Sequence, residues 1–486
     1  MATLVREPEA APPRSAPDRR LLDVAVIAAP AFLAVVLCLI SLTSRSLWLD
    51  EAATVAIAGQ HGSALWSAIA HDGGNMLGYY ALLHVVIGWF GDGAFVIRLP
   101  SVLAAGCAAG AVALLGLRLF DRRVALASGL LTAVSLPLVF WGQNARGYAA
   151  MVALVAGSFV AFDALVKSGS RRAWIAYVVL TALAVYASFV AVLVLPAQLA
   201  AVAWRRSGWR RVLWAMAACA VAWIPLGVLA LQRGSGQLFW IPRPSLKTEG
   251  QVIQALASAG FEPNFHPTWA ATGLTILTVA LVLVAAVRIV RRPGWGPLLA
   301  LSWLIVPVVL MWLWSLIGQS LFTPRNALVS LPAAALLLGW LLARSRAGWA
   351  IVAVLLALRV VALVPSYGVS PEDWRAATAY VLHGERAGDC VAFYPLDGEM
   401  PFAYYAGLPV KPYVERYETP RPPSECGRVW LVASHQGQPD GPSLSRQHYT
   451  TYVALRRALA RSYGRSTTRS FGYASRIWVQ LFSRPG

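Results

Sequence analysis

The sequence predicts a polytopic α-helical membrane protein that ends in a small α/β domain. Three observations point there. Hydrophobic residues make up 58% of the chain and charged residues 13%, with a mean hydropathy of +0.59. A soluble domain is nearer half apolar and a quarter charged. Apolar runs of membrane-spanning length, roughly 17–25 residues, recur from residue 24 to 365. From residue 367 onward the runs stop, charge rises and strand-like segments begin.

Residues 1–20 are rich in Pro, Ala and Arg without periodicity and read as a disordered cytoplasmic tail. No small-residue cleavage site follows the first apolar run, so it reads as a span and not as a cleaved signal peptide. The transmembrane domain covers 21–366. Its spans fall near 24–43, 97–117, 124–141, 148–166, 173–188, 189–204, 211–231, 269–288, 297–317, 326–343 and 348–365. The two at 173–204 are short for a bilayer. The net charge of +19 does not signal nucleic acid, because the arginines gather in short clusters between the runs: Arg19-Arg20, Arg118 with Arg122-Arg123, Lys167 with Arg171-Arg172, Arg205-Arg206 with Arg210-Arg211, Arg288 with Arg291-Arg292, and Arg344 with Arg346. Basic clusters mark the cytoplasmic side. Placing all of them there requires eleven crossings, with the N-terminus inside and the C-terminus outside the cell membrane.

This arrangement makes 44–96 a long outer loop. It holds two apolar stretches, His61 to Ala70 and Tyr79 to Phe90, around the turn signal Asp72-Gly73-Gly74-Asn75. A crossing at 79–90 would move every later basic cluster outside, so these stretches read as interfacial or re-entrant helices. A second outer loop, 232–268, carries Trp240, Pro242 and Pro244, a semi-rigid interfacial segment. The outer domain, 367–486, has strand-like runs at 390–395, 428–434 and 476–482 and a helical stretch at 445–462. Cys38, Cys107 and Cys219 lie in spans as packing residues. Cys390 and Cys426 each precede a strand, where an oxidising exterior permits a bridge.

Charged residues converge on the outer face. Asp50, Glu51 and Asp72 lie in the first loop. Arg98 opens the second span, Arg146 ends another in QNARGY, and Arg325 opens another in FTPRN. Outer-face arginines run against the usual bias; snorkelling to lipid phosphates is one reason for them and a phosphate site is another. Asp50 and Glu51 could cap a helix through Ala52–Ala58, and a carboxylate fixed there could serve as a general base. Arg359, within the last span, is a rarer intramembrane charge. Asp163, near an inner end, reads as interfacial.

These residues resemble the GT-C superfamily of polyprenyl-phosphate-dependent glycosyltransferases, in the branch of protein O-mannosyltransferases and the lipid A aminoarabinose transferase. The resemblance rests on SLWLDEA (46–52), YYALLH (79–84), FVIRLPSVLAAG (95–106), LRLF (117–120), QNARGY (143–148), WIPRPSL (240–246), FTPRN (322–326) and EDWRAA (372–377). It implies catalysis by Asp50, with Glu51 beside it. Arg146, Arg325 and Arg98 would bind the donor phosphate, and Asp72, Tyr79 and Tyr80 would serve an acceptor or a metal. The donor would be a polyprenyl-phosphate sugar, mannose-type or related, and the acceptor a hydroxyl on glycan, lipid or protein. No cofactor is required. A divalent cation, Mg or Mn, is permitted by the three carboxylates. A flippase or transporter is the rival reading, set back by the absence of paired internal repeats and of broken helices in matching positions; an inactive glycan-binding membrane partner is a third.

Overall fold

The computed structural model of the protein describes residues 19–206, 208–234, 238, 241–260, 268–412, 426–440, 443–473 and 475–484. The expected tail over 1–18 and Trp240 lie outside the described residues. Among those described, seven helices are individually long and apolar enough to cross a membrane: Arg19–Leu39, Ala94–Leu119, Tyr148–Ser168, Thr268–Arg291, Trp295–Ile317, Pro324–Leu342 and Arg346–Gly368. Two more passages are bent pairs. Arg122–Ala133 and Leu136–Gly142 meet at 60°, and Trp209–Ala222 and Ile224–Arg233 at 51°. The bends fall at Val134-Ser135 and at Trp223, and each is followed by a helix with proline in its first turn, Pro137 and Pro225. A proline has no N–H to continue the preceding helix, and its ring crowds that turn. The remaining two passages, Arg171–Ala187 and Phe189–Arg205, are short, as the sequence suggested.

Contacts between helix termini show that these passages alternate between two ends of one bundle. At one end Arg122 pairs with Asp23 at 2.6 Å, and the Lys167 ammonium bonds the Arg118 carbonyl at 3.4 Å and Asp163 at 2.9 Å. Arg205 lies over the Trp295 ring, 5.0 Å from its centroid. All the basic clusters expected on one side therefore share an end. The other end gathers the 43–50 segment, Arg98, the 143–147 turn, Phe189 and Arg325.

The first loop folds into three helices, Leu49–Ala58, Gly62–His71 and Leu77–Phe90. Leu82, Val85, Trp89 and Phe90 are exposed on the last of these, as a helix resting in an interface requires. Gly74 turns the chain between them with a φ of +77°, and a Cβ there would strike Leu229. In the second loop Ser245 and Thr248 cap Leu246–Leu256 reciprocally.

The C-terminal domain is a four-stranded sheet: β1 (Asp389–Tyr394), β2 (Arg428–Ala433), β3 (Arg465–Phe471) and β4 (Ile477–Ser483), in the order β1-β2-β4-β3. β1 and β2 run parallel, and β4 is antiparallel to both its neighbours. Side chains alternate along β2, as strand geometry demands. Val429, Leu431 and Ala433 pack on the helix Ser443–Tyr463, and Trp430 and Val432 pack with Trp374, Val381 and Phe402. β3 was not foreseen: it is an edge strand whose residues are almost all exposed, so RSTTRSF shows no apolar alternation. Cys390 and Cys426 are joined, with Cα atoms 5.8 Å apart. Cys38 and Cys219 are buried, whereas Cys107 points out of the bundle and is not a packing residue.

Candidate active site

The site is built on the start of Leu49–Ala58. Asp50 and Glu51 are adjacent, so they diverge by about 100° around the helix and enter different surroundings. Glu51 is fully buried. Its Oε1 accepts from Arg98 Nε at 2.8 Å and its Oε2 from Arg98 Nη2 at 2.7 Å. The Ala145 amide adds a third bond, also at 2.8 Å. The remaining Arg98 donors go to the carbonyls of Leu42, Arg45 and Ser46. All five guanidinium N–H groups are thereby committed. This corrects one expectation: Arg98, expected at a donor phosphate, has its N–H groups committed within the protein, while Glu51, expected beside Asp50, faces Arg98 and the Ala145 amide. Together they pin the 42–51 segment to the bundle.

QNARGY performs the same task residue by residue. Gln143 donates to the carbonyls of Cys38 and Ile40 at 3.0 and 2.7 Å and accepts from Arg45, whose guanidinium lies on the Phe140 ring. Asn144 accepts from the Trp48 indole at 2.8 Å. Gly147 is needed for close approach: a Cβ would stand 2.4 Å from the Ala187 carbonyl. None of these pairings shows in the sequence, because the partners lie from 40 to about a hundred positions apart.

Asp50 is different. Its side chain is 30% exposed and meets two arginines, Arg325 Nη1 at 3.2 Å and Arg146 Nη2 at 3.7 Å. Arg146 is held by Thr54 Oγ1 at 3.0 Å and by the Asp50 carbonyl at 3.3 Å. Arg325 follows Pro324 at the start of a short helix capped by Thr323 and lies over the Tyr148 ring, 5.9 Å from its centroid. One partly open carboxylate thus faces two partly open cations, over an aromatic floor in which Trp141 and Tyr148 are 4.3 Å apart.

Tyr80 donates to Asp72 Oδ2 at 2.9 Å. Burial pushes the Asp72 carboxyl up to about 6, against the opposing pull of Arg146 and the Tyr80 hydroxyl, with Asp50 adding to the rise. The Tyr79 hydroxyl, by contrast, is in the core on Ser101 at 2.8 Å, and Ser101 donates to the Arg146 carbonyl at 3.2 Å. Tyr79 therefore braces the arginine loop and does not face an acceptor. No group of three or more His, Cys, Asp or Glu side chains converges as a metal site among the described residues. Asp50, Glu51 and Asp72 are not brought together as a ligand set of three. Arg359 is buried and donates to the Leu131 carbonyl, one of the carbonyls exposed where Arg122–Ala133 breaks. It serves the bend. Asp163 accepts from Lys167 and from the Trp295 indole.

Sequence reasoning missed the contribution of the C-terminal domain. The Tyr405 hydroxyl accepts from the Leu47 amide at 2.6 Å, and Ser370 Oγ from the Ser46 amide at 3.1 Å. Arg375 donates to the carbonyls of Thr43 and Ser44, and Met400 is buried against Ala52 and Ala56. EDWRAA was readable as a motif; that it grips 43–52 was not.

A bundle of alternating passages, a first loop of surface helices bearing a carboxylate at its start, and a sheet domain over that end define the GT-C class of fold. The likenesses to known proteins are particular. The family model for dolichyl-phosphate-mannose-protein mannosyltransferases matches residues 75–231, which agrees with the resemblance read from the sequence. The structure of ArnT from Cupriavidus metallidurans bound to undecaprenyl phosphate is similar, with a TM-score of 0.58 at 14% identity over 94% of this chain and 98% of that one. Archaeal oligosaccharyltransferase AglB from Archaeoglobus fulgidus, in complex with an inhibitory peptide and a dolichol-phosphate, is also similar. Its TM-score is 0.55 at 13% identity, over 95% of this chain and 74% of that one. No curated protein matches by sequence.

Proposed function

We propose that the protein is a membrane glycosyltransferase that moves a sugar from a polyprenyl-phosphate donor to an acceptor hydroxyl, at the membrane face opposite the basic clusters. The observation that supports it most directly is the Asp50–Arg146–Arg325 group. Two guanidinium groups suit a phosphate monoester or diester, and ArnT and AglB, whose fold this chain shares, were solved with undecaprenyl phosphate and dolichol-phosphate. In the free protein the arginines lean on Asp50. A donor phosphate would take over their N–H groups and leave an Asp50 oxygen open to an acceptor. The acceptor O–H proton passes to Asp50 as its oxygen bonds the anomeric carbon from the face opposite the leaving group. The bond from that carbon to the phosphate oxygen breaks. Polyprenyl phosphate departs with the electron pair, its added charge met by Arg325 and Arg146, and the anomeric centre is inverted.

The test is incubation of the purified protein with radiolabelled polyprenyl-phosphate sugars and an envelope extract as acceptor. Transfer is expected with one sugar class, and Asp50→Asn lowers turnover at least about a hundredfold, as loss of a general base does. Unchanged turnover in folded Asp50→Asn protein overturns the mechanism.

A further inference from the structure

We infer that Glu372 and His435 of the C-terminal domain form a strut that positions the helix carrying Asp50, so that this domain is a working part of the site. Leu49–Ala58 begins without a cap of its own: Trp48 occupies the N-cap position and makes no side-chain cap bond. The orphan amide of Leu49, one residue from Asp50, donates instead to Glu372 Oε2 at 3.0 Å. A carboxylate at a helix start satisfies an unpaired donor and complements the helix dipole. Here it is delivered from the other end of the chain. Asp373, the next residue, caps its own helix through the Ala376 amide at 3.1 Å. Two consecutive acids thus cap two different helices, and lock one to the other.

Glu372 is itself fixed. It is 2% exposed. Its Oε2 also accepts from the Trp374 indole at 2.8 Å, and its Oε1 is 2.8 Å from His435 Nε2. His435 follows β2 with a φ of +48°, a conformation that L side chains seldom adopt and that marks a functional constraint more often than chance. This backbone aims the imidazole back at Glu372. The side chain is 40% exposed. Partial desolvation works against its charge, but the carboxylates of Glu372, Asp50 and Asp397 raise the imidazole to about 9. At neutral pH the pair is therefore an imidazolium on a carboxylate. Such a pair holds the helix start without adding net negative charge next to an incoming phosphate; a lone Glu372 would repel it.

The strut rests on the proposed role of Asp50 only in its kinetic consequence, so its test has two arms. In the first, hydrogen exchange of full-length protein is followed by mass spectrometry. Glu372→Leu is expected to raise exchange of the peptide spanning 47–54 at least tenfold, with peptides from Tyr148–Ser168 unchanged. In the second, turnover with the radiolabelled donor is measured. Glu372→Leu lowers kcat about tenfold and leaves the donor KM within twofold. Glu372→Gln retains an acceptor for the Leu49 amide but loses the ion pair. It should keep exchange low and introduce a titration into the kcat profile near pH 6.5, the ordinary histidine value. Unchanged exchange in folded Glu372→Leu protein overturns the strut. Raised exchange with unchanged kcat overturns its positioning role. If Asp50→Asn proves fully active while exchange in Glu372→Leu rises, the glycosyl-transfer mechanism falls and the mechanical link stands.

Discussion

Asp50 and Glu51 look equivalent in the sequence and are opposites in the structure. A buried, bidentate Glu51–Arg98 pair is strongly destabilising to break, because the partner charge is left without compensation; removing one member typically costs about 3–5 kcal/mol. Glu51→Gln should therefore lower the melting temperature of the detergent-solubilised protein sharply, whereas Asp50→Asn should leave it nearly unchanged. Equal melting temperatures for the two variants would show that Glu51 is not the anchor. Asp72 gives a pH-dependent prediction. Its carboxyl titrates near 6 in the folded protein, above its ordinary value of 3.8, so the folded state favours the protonated form. The associated stability is present below about pH 4 and lost as pH rises through 6. Asp72→Asn removes that loss. Its melting temperature relative to the parent should rise between pH 5 and pH 8, and a pH-independent difference would exclude the effect. At this scale the sequence disclosed residue types and their end of the membrane. It did not disclose partners, since Glu51 meets Arg98 and Ala145, and Leu49 meets Glu372, across separations that no local pattern encodes.

Elements were legible where hydropathy defines them. All eleven expected spans fall on helices, and the three helices of the first loop lie where the Asp50-Glu51 capping pair, the two apolar stretches and the Asp72–Asn75 turn suggested. The bends at 60° and 51° fall inside the expected spans 124–141 and 211–231, where Pro137 and Pro225 are the sequence signal for a break. β3 was invisible because an exposed edge strand has no inward face to pattern. The disulfide belongs to this scale. Cys390 and Cys426 close a loop of 36 residues, for which chain-entropy arguments give about 4 kcal/mol of stabilisation. Peptide mapping of unreduced protein from native envelopes should recover the linked pair, and reductant should unfold the sheet domain at a lower temperature than the bundle. Two free thiols in that preparation would refute the bridge.

Over the whole molecule, the basic clusters gather at the end away from the Asp50 group. Arg122, Lys167, Arg205 and Arg291 lie at one end and the Asp50 group at the other, which the positive-inside tendency converts into an orientation. In a variant with Cys107 replaced, a membrane-impermeant thiol reagent applied to intact cells should label Arg465→Cys and leave Arg291→Cys silent. The reverse pattern would move the site to the cytoplasmic face. The alternation of the passages was deducible from arginine spacing because every second connection carries a basic cluster and returns it to the same end. The way the last domain settles onto the first loop was not, since it depends on complementary surfaces and not on composition.

That arrangement has a consequence for biosynthesis. A chain made from its N-terminus produces Asp50 before every group that fixes it: Arg98 first, then Asn144 and Arg146, then Arg325, and last Glu372, Tyr405 and His435. The first loop thus leaves the ribosome before the groups that lock it, and a nascent chain arrested anywhere before the sheet domain holds Asp50 without the contacts that surround it in the finished fold.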